Sequence, residues 1–266
     1  MFKDEVFCGY VFGTMHVRDN SAFRWIDQIR GRINECDIYA AEMDLGAVDP
    51  VRLSNSSTLK SGQSIREWIP ETKYEKMLAQ IKKSFDLNVD SLRFLHPFLI
   101  ISRLSEAVLS DDHLHALDHY LYQYALKVGK ETTGLETFEE QMQIMEELDP
   151  KDHVKGILQI ARDPVKFRTS IRNLVRHYEQ QDLQALYQVS RKQLHHLRSK
   201  MLFDRNHVFT ERIVTLTQRG KLFAAFGAAH LGGAQGVIRL LKRSGFRLIP
   251  ITIVPCSDTK GYDHET

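Results

Sequence analysis

The chain has 266 residues, 42% hydrophobic and 26% charged, with a formal net charge of +2. This is the composition of a globular protein with room for a sizeable core, and its interspersed charges, without an aromatic-plus-basic motif, exclude a dedicated nucleic-acid surface. Three cysteines without CxxC spacing, Cys8, Cys36 and Cys256, exclude a disulfide scaffold and a structural zinc site, and no run approaches the roughly 18 apolar residues of a membrane span.

In chain order, the apolar run from Val6 to Phe12 predicts a first strand, entered almost at once, with no apolar signal region before it. The chain as written is therefore expected to be cytoplasmic, although a sequence trimmed of its leader would read the same. Gly13-Thr14-Met15-His16 ends this strand. Residues 18 to 35 carry Phe23, Ile26, Ile29 and Ile33 at helical spacing, and Asp37 to Met43 reads as a second strand with Glu42 at its end. Asp49 to Gly62 is expected as a polar, serine-rich loop that ends in a helix start at Ser64 and Glu67. Residues 64 to 218 are mostly helical, broken at Pro70, near Asn88, at Pro97, Pro150 and Pro164, and near Asp204. The exception is a short strand from Lys130 to Glu136, followed by a capping box at Thr137 and Glu140.

Leu222 to Phe226 is five apolar residues in a row, bounded by Gly227, and reads as a strand covered on both faces. Gly227-Ala228-Ala229-His230 then turns the chain, a helix follows from Val237, and Phe246 to Val254 is expected to be the last strand. Cys256 to Thr266 reads as a loose polar tail. Residues 6–43 and 222–254 thus repeat one order: strand, Gly-x-x-His, helix, strand. The expected fold is α/β, one domain over residues 1–266. Its central mixed, partly parallel sheet is built from two such units, and the large helical middle covers the crevice.

Histidines and carboxylates on rigid strand ends are the donor types of a catalytic divalent-metal site. His16 and His230 would supply imidazoles, and Glu42 and Glu136 are the carboxylates at predicted strand ends. The spacing alone leaves a second reading open, in which Gly13 and Gly227 serve turns and the histidines cap strand ends. Other histidines are weaker candidates. His115 and His119, in the stretch from His113 to His119, would be four apart on a helix, but no glutamate follows as in HExxH. His195 and His196 are adjacent and would point apart, and His207 reads as a surface or capping residue. Trp25 and Trp68 read as packing residues. The glycines of 227–236 lack both the P-loop and the GxGxxG spacing, and no GxSxG elbow supports a serine hydrolase.

GTMHV (13–17), AAEMD (40–44), GKETTGLETFEEQ (129–141), LFDRN (202–206) and GAAHLGGAQGVIRLLKRSGFRLIPI (227–251) together resemble the TraB/GumN/Tiki family over nearly the whole chain. That resemblance implies a fold related to erythromycin esterases and ChaN-type haem-binding lipoproteins, and a metal-dependent peptidase activity. It implies His16, His230 and Glu42 as ligands of a divalent ion of the zinc, manganese or cobalt type, and Glu136 as a further ligand or general base. Arg205 and Asn206 match the family's Arg-Asn pair; Arg205 would anchor a substrate oxyanion or hold Glu42 or Glu136. Three functions are therefore weighed: a metal-dependent hydrolase acting on peptides or small molecules, a non-catalytic binder of a peptide, haem or small ligand in the same crevice, and a scaffold that recruits partners through its helical middle. Substrate, metal and oligomeric state are not legible.

Overall fold

The computed structural model describes residues 1–60, 62–194 and 197–254. The chain begins with β1 (Phe2–Lys3), β2 (Val6–Phe7) and β3 (Gly9–Thr14), then α1 (Asn20–Phe23), α2 (Ile26–Asn34), β4 (Ile38–Met43) and α3 (Pro50–Ser57). There follow α4 (Glu71–Phe85), α5 (Pro97–Glu106), α6 (Leu117–Lys127), β5 (Glu131–Glu136), α7 (Phe138–Glu146), α8 (Pro150–Arg162), α9 (Pro164–Glu179) and α10 (Leu183–Leu194). Last come α11 (Arg205–Leu216), β6 (Leu222–Gly227) and α12 (Val237–Arg243).

The fold is α/β, with a four-stranded sheet in the order β3-β6-β4-β5 and every neighbouring pair parallel. β6, the last strand in sequence, is inserted between the first two. Its Leu222, Ala224 and Phe226 join Ile38, Ala40, Phe209, Ile213, Val237 and Leu241 in one buried cluster, as its unbroken apolar run requires of a strand covered on both faces. β1 and β2 pair antiparallel in a separate hairpin, whose turn residues Asp4 and Glu5 both have positive φ, as a tight two-residue hairpin turn demands.

Two compact units are distinguishable along the chain. The first, residues 1–45, 112–137 and 177–266, contains the sheet with α6, α10, α11 and α12. The second, residues 46–111 and 138–176, is helical. It closes around Ile65, Tyr74, Ile81, Ile100, Leu104 and Ile157.

Four expectations are corrected. Phe246 to Val254 is not a strand: its one ladder contact among the described residues is an isolated antiparallel bridge between Arg247 and Phe2, so the second βαβ unit stays incomplete. Residues 49–62 are not all loop, because Asp49 accepts from the N–H groups of Val51 and Arg52 and Pro50 opens α3, a start signal hidden in a serine-rich stretch. The helix expected over 18–35 is two helices, divided at Arg24 and Trp25. The first strand is likewise split at Cys8, where Gly9 takes φ +124. The capping box at Ser64 and Glu67 is present. His195, His196 and the expected tail from Cys256 onward lie outside the described residues.

Candidate functional site

The four parallel strands end level with one another: Thr14 pairs with Gly227, and Met43 with Glu136. The carboxyl edge of such a sheet is where ligands of open α/β folds bind. A π-helical turn over Ser199–Asp204 runs straight into α11, and such turns are frequent at functional sites. Arg205 and Asn206 open α11, and both side chains are buried.

Five of the six expected site residues form one cluster at this edge. Arg205 donates from Nε to Glu136 Oε1 at 2.8 Å and from Nη2 to Glu136 Oε2 at 2.6 Å, a bidentate fork. The same Nη2 reaches Glu42 Oε1 at 2.5 Å, and Glu42 Oε2 accepts the Gly227 N–H at 3.1 Å. Of the two roles the sequence leaves to Arg205, the observed one is to hold both glutamates. His230 Nδ1 lies 2.7 Å from Asn206 Oδ1. Asn206 Nδ2 is committed to the Gln235 carbonyl at 2.7 Å, so its oxygen faces the ring and Nδ1 carries the imidazole proton. Nε2 therefore keeps its lone pair. The Phe209 ring packs beside both His230 and the Arg205 guanidinium, at 5.0 and 5.4 Å.

The electrostatics follow from this packing. Burial by itself would raise the Glu42 carboxyl; the adjacent Arg205, with the Gly227 N–H, overrides it and brings the group down to about 2. Burial lowers His230 to about 4, with Glu42 opposing and Arg205 reinforcing the shift. Burial would lower Arg205, but the two glutamates outweigh it and its pKa is raised. At neutral pH the site thus presents a neutral imidazole beside an anionic carboxylate.

His16 is the sixth residue, and it stands apart from this cluster. Its side chain is 68% exposed, with Nδ1 at 2.9 Å from both oxygens of Asp118 at the start of α6. The strand exit is fixed to that helix start: Leu117 N–H donates to Val17 C=O and His113 N–H to Arg18 C=O. Although β3 and β6 are adjacent, no group of three or more His, Cys, Asp or Glu among the described residues is placed to hold a metal ion. Both histidines share one arrangement all the same, each Nδ1 meeting a side-chain oxygen.

The glycines of the two motifs differ in purpose, and neither has the positive φ of a glycine-dependent turn. A Cβ on Gly13 would come 2.8 Å from Leu231 Cδ1 and 2.9 Å from Ala228 Cα, so Gly13 permits close approach. A Cβ on Gly227 would only touch His230 and Glu42, at 3.5 and 3.6 Å.

Among the weaker candidates, α6 begins at Leu117, so His115 and His119 do not share a helix; their rings pack 4.2 Å apart. His113 stacks on Phe23 and bonds Asn20, and His207 is exposed. Trp25 is buried and Trp68 packs against the helical unit's core. Sequence reasoning missed Asp118, Phe209 and Tyr122, whose hydroxyl holds Asp44 at 2.9 Å. Asp118 lay within the histidine-rich stretch already singled out, and that was its one signal.

The model of the TraB/PrgY/gumN family matches residues 3–250. A Xenopus tropicalis protein named Metalloprotease TIKI2 is 22% identical over 299 residues, covering 90% of this chain and 57% of its own length. Metalloprotease TIKI1 of Danio rerio is 22% identical over 296 residues, covering 90% and 60%; that of Homo sapiens is 21% identical over 299 residues, covering 90% and 59%. The chain spans roughly three fifths of the length of these relatives. No solved structure is a significant match. With its matched segment running almost from end to end, the chain belongs to the TraB/PrgY/gumN family.

Proposed function

We propose that this chain is a metal-dependent, peptidase-like hydrolase whose centre is the carboxyl edge of the parallel sheet. The observation that carries the reading is the gathering, at three strand ends and the start of α11, of Glu42 and Glu136, both held by Arg205, beside the hydrogen-bonded pair Asn206 and His230. Relatives named metalloproteases support the reaction class.

The donor set fits a divalent ion of the zinc, manganese or cobalt type. His230 offers a neutral Nε2, Glu42 an anionic carboxylate, and His16, whose Nδ1 is held by Asp118, would join them from the neighbouring strand end. When bound, the ion would polarise a peptide carbonyl and lower the pKa of a bound water to about 7. The chain's own residues do the rest. Asn206 fixes the tautomer and ring orientation of His230. Arg205 keeps two bonds to Glu136 if Glu42 turns toward an ion, so Glu136 stays positioned through that movement. Glu136 is the remaining carboxylate at the edge and takes the general-base role, accepting the proton of the attacking water.

The test is hydrolysis of a quenched fluorogenic peptide library by the full chain. The proposal expects cleavage that chelation abolishes, divalent ion restores, and Glu42→Ala removes. Binding of library peptides without cleavage under any metal would instead favour a non-catalytic receptor using the same donors.

A further inference from the structure

A cavity of about 810 Å3 runs along the outer edge of β3, which is the end strand of the sheet. Phe12, Trp25, Ile29 and Phe223 line it on one side of the strand, and Val11 and Ile238 on the other. Its outer wall is the segment from Leu248 to Ile253, which passes β3 without pairing to it among the described residues. That segment is tied instead by Gln181 Nε2 to the Ile253 carbonyl at 2.8 Å, and by Gln28 to the Val254 carbonyl.

The ladder with β6 sets which backbone groups of β3 face this space. Leu222 N–H donates to the Cys8 carbonyl, and in a parallel pair the residues bonded to the neighbour alternate along the strand. Tyr10 and Phe12 therefore turn their backbone groups to β6, while Gly9, Val11 and Gly13 turn theirs outward. Two outward carbonyls are already taken, Gly9 by the Met1 amino group at 2.7 Å and Gly13 by the Tyr178 hydroxyl at 2.9 Å. Val11 lies between them, and no described residue bonds its outward N–H or C=O. Trp25, 2% exposed and in the cavity wall, has a buried indole N–H without a partner.

We propose that this cavity receives an extended peptide segment, which adds to the β3 edge by pairing with Val11 and places its apolar side chains along the walls. Only a peptide brings a donor and an acceptor at strand spacing together with apolar side chains; an aliphatic chain would fill the walls and leave the Val11 carbonyl unpaired. The cavity reaches Gly13 and Ala228, inside the two Gly-x-x-His turns, so a peptide lying there ends beside both motifs. The inference deepens the peptidase reading and rests on it for the fate of the peptide, although the binding itself needs no turnover.

The experiment measures fluorescence anisotropy of a fluorescein-labelled hexapeptide amide of alternating valine and threonine, titrated with the full chain in EDTA. The unmodified peptide is expected to bind, and methylation of its alternate backbone nitrogens to weaken binding by about tenfold. Val11→Pro removes the outward donor and leaves the β6-facing groups intact, and it should cost a similar factor; Trp25→Phe, which keeps the aromatic wall, should cost a smaller one. Equal binding of the methylated peptide to the wild-type chain would overturn the proposal, and that arm does not depend on how the variants fold. Binding of dodecanoate without binding of the peptide would also overturn it. Because EDTA removes any turnover, lost hydrolysis with retained edge binding defeats only the enzymatic reading, whereas hydrolysis without edge binding defeats only this one.

Discussion

Arg205 holds the site's two glutamates together. The residue is 9% exposed, and its guanidinium makes three charge-assisted bonds, two to Glu136 and one to Glu42. Removing one partner of a buried ion pair leaves uncompensated charge, so Arg205→Ala should destabilise the protein by about 3–5 kcal/mol in denaturant unfolding. Arg205→Lys should recover part of this loss, because a single ammonium cannot reproduce the fork; an alanine variant within about 1 kcal/mol of wild type would show that the pairs are not formed. His230 makes the chelator-treated protein acid-sensitive. Its folded pKa, about 4, lies below its ordinary 6.5, so between these values the unfolded chain binds more protons and stability falls as the pH drops. Glu42, lowered from 4.5 to about 2, extends the loss to lower pH. His230→Gln should flatten the stability profile between pH 6.5 and 4; an unchanged slope would contradict the burial of a neutral ring. At this scale Glu42, Glu136 and His230 were legible because each closes a strand, where pattern and chemistry coincide. Asp118 was not, since its pairing with His16 spans 102 residues and leaves no local signature.

Strand order brings the two Gly-x-x-His turns side by side: β6 enters between β3 and β4, and Gly13 pairs with Phe226. Apolar runs announced these strands, but their order comes from packing that no local pattern encodes. The predicted strand from Phe246 to Val254 shows the limit from the other side. Its alternating apolar residues have strand character, yet Pro250 lacks an N–H, and the segment lies across a cavity instead of joining β3. Gly13 is an element-scale constraint, where the start of one motif packs on the turn of the other. Gly13→Ala should cost about 1–3 kcal/mol, because the methyl meets Ala228 backbone and Leu231. Gly31→Ala, in α2 with open space around the new methyl, should instead stabilise by roughly 0.5–1 kcal/mol. Thermal or denaturant midpoints check both, and equal effects of one sign would contradict the packing described.

Across the whole molecule, the residues of the expected helical middle are shared between two compact units. α6, α10 and α11 belong with the sheet, and α11 adds Phe209 and Ile213 to its buried cluster, whereas residues 46–111 and 138–176 form their own unit. Helical periodicity predicted the helices well but carried no sign of this division, since apolar faces read alike whichever core they enter. At the sheet edge residues 42, 136, 205, 206 and 230 gather while His16 stands apart on Asp118, so a shared metal would require His16 to join His230 and Glu42. Metal analysis of purified wild-type chain beside His16→Ala and His230→Ala, all confirmed folded, tests that claim most directly. The account predicts one divalent ion per wild-type chain and loss of that ion in both variants; an ion that survives His16→Ala, or a wild-type chain that takes up none at millimolar metal, would contradict it.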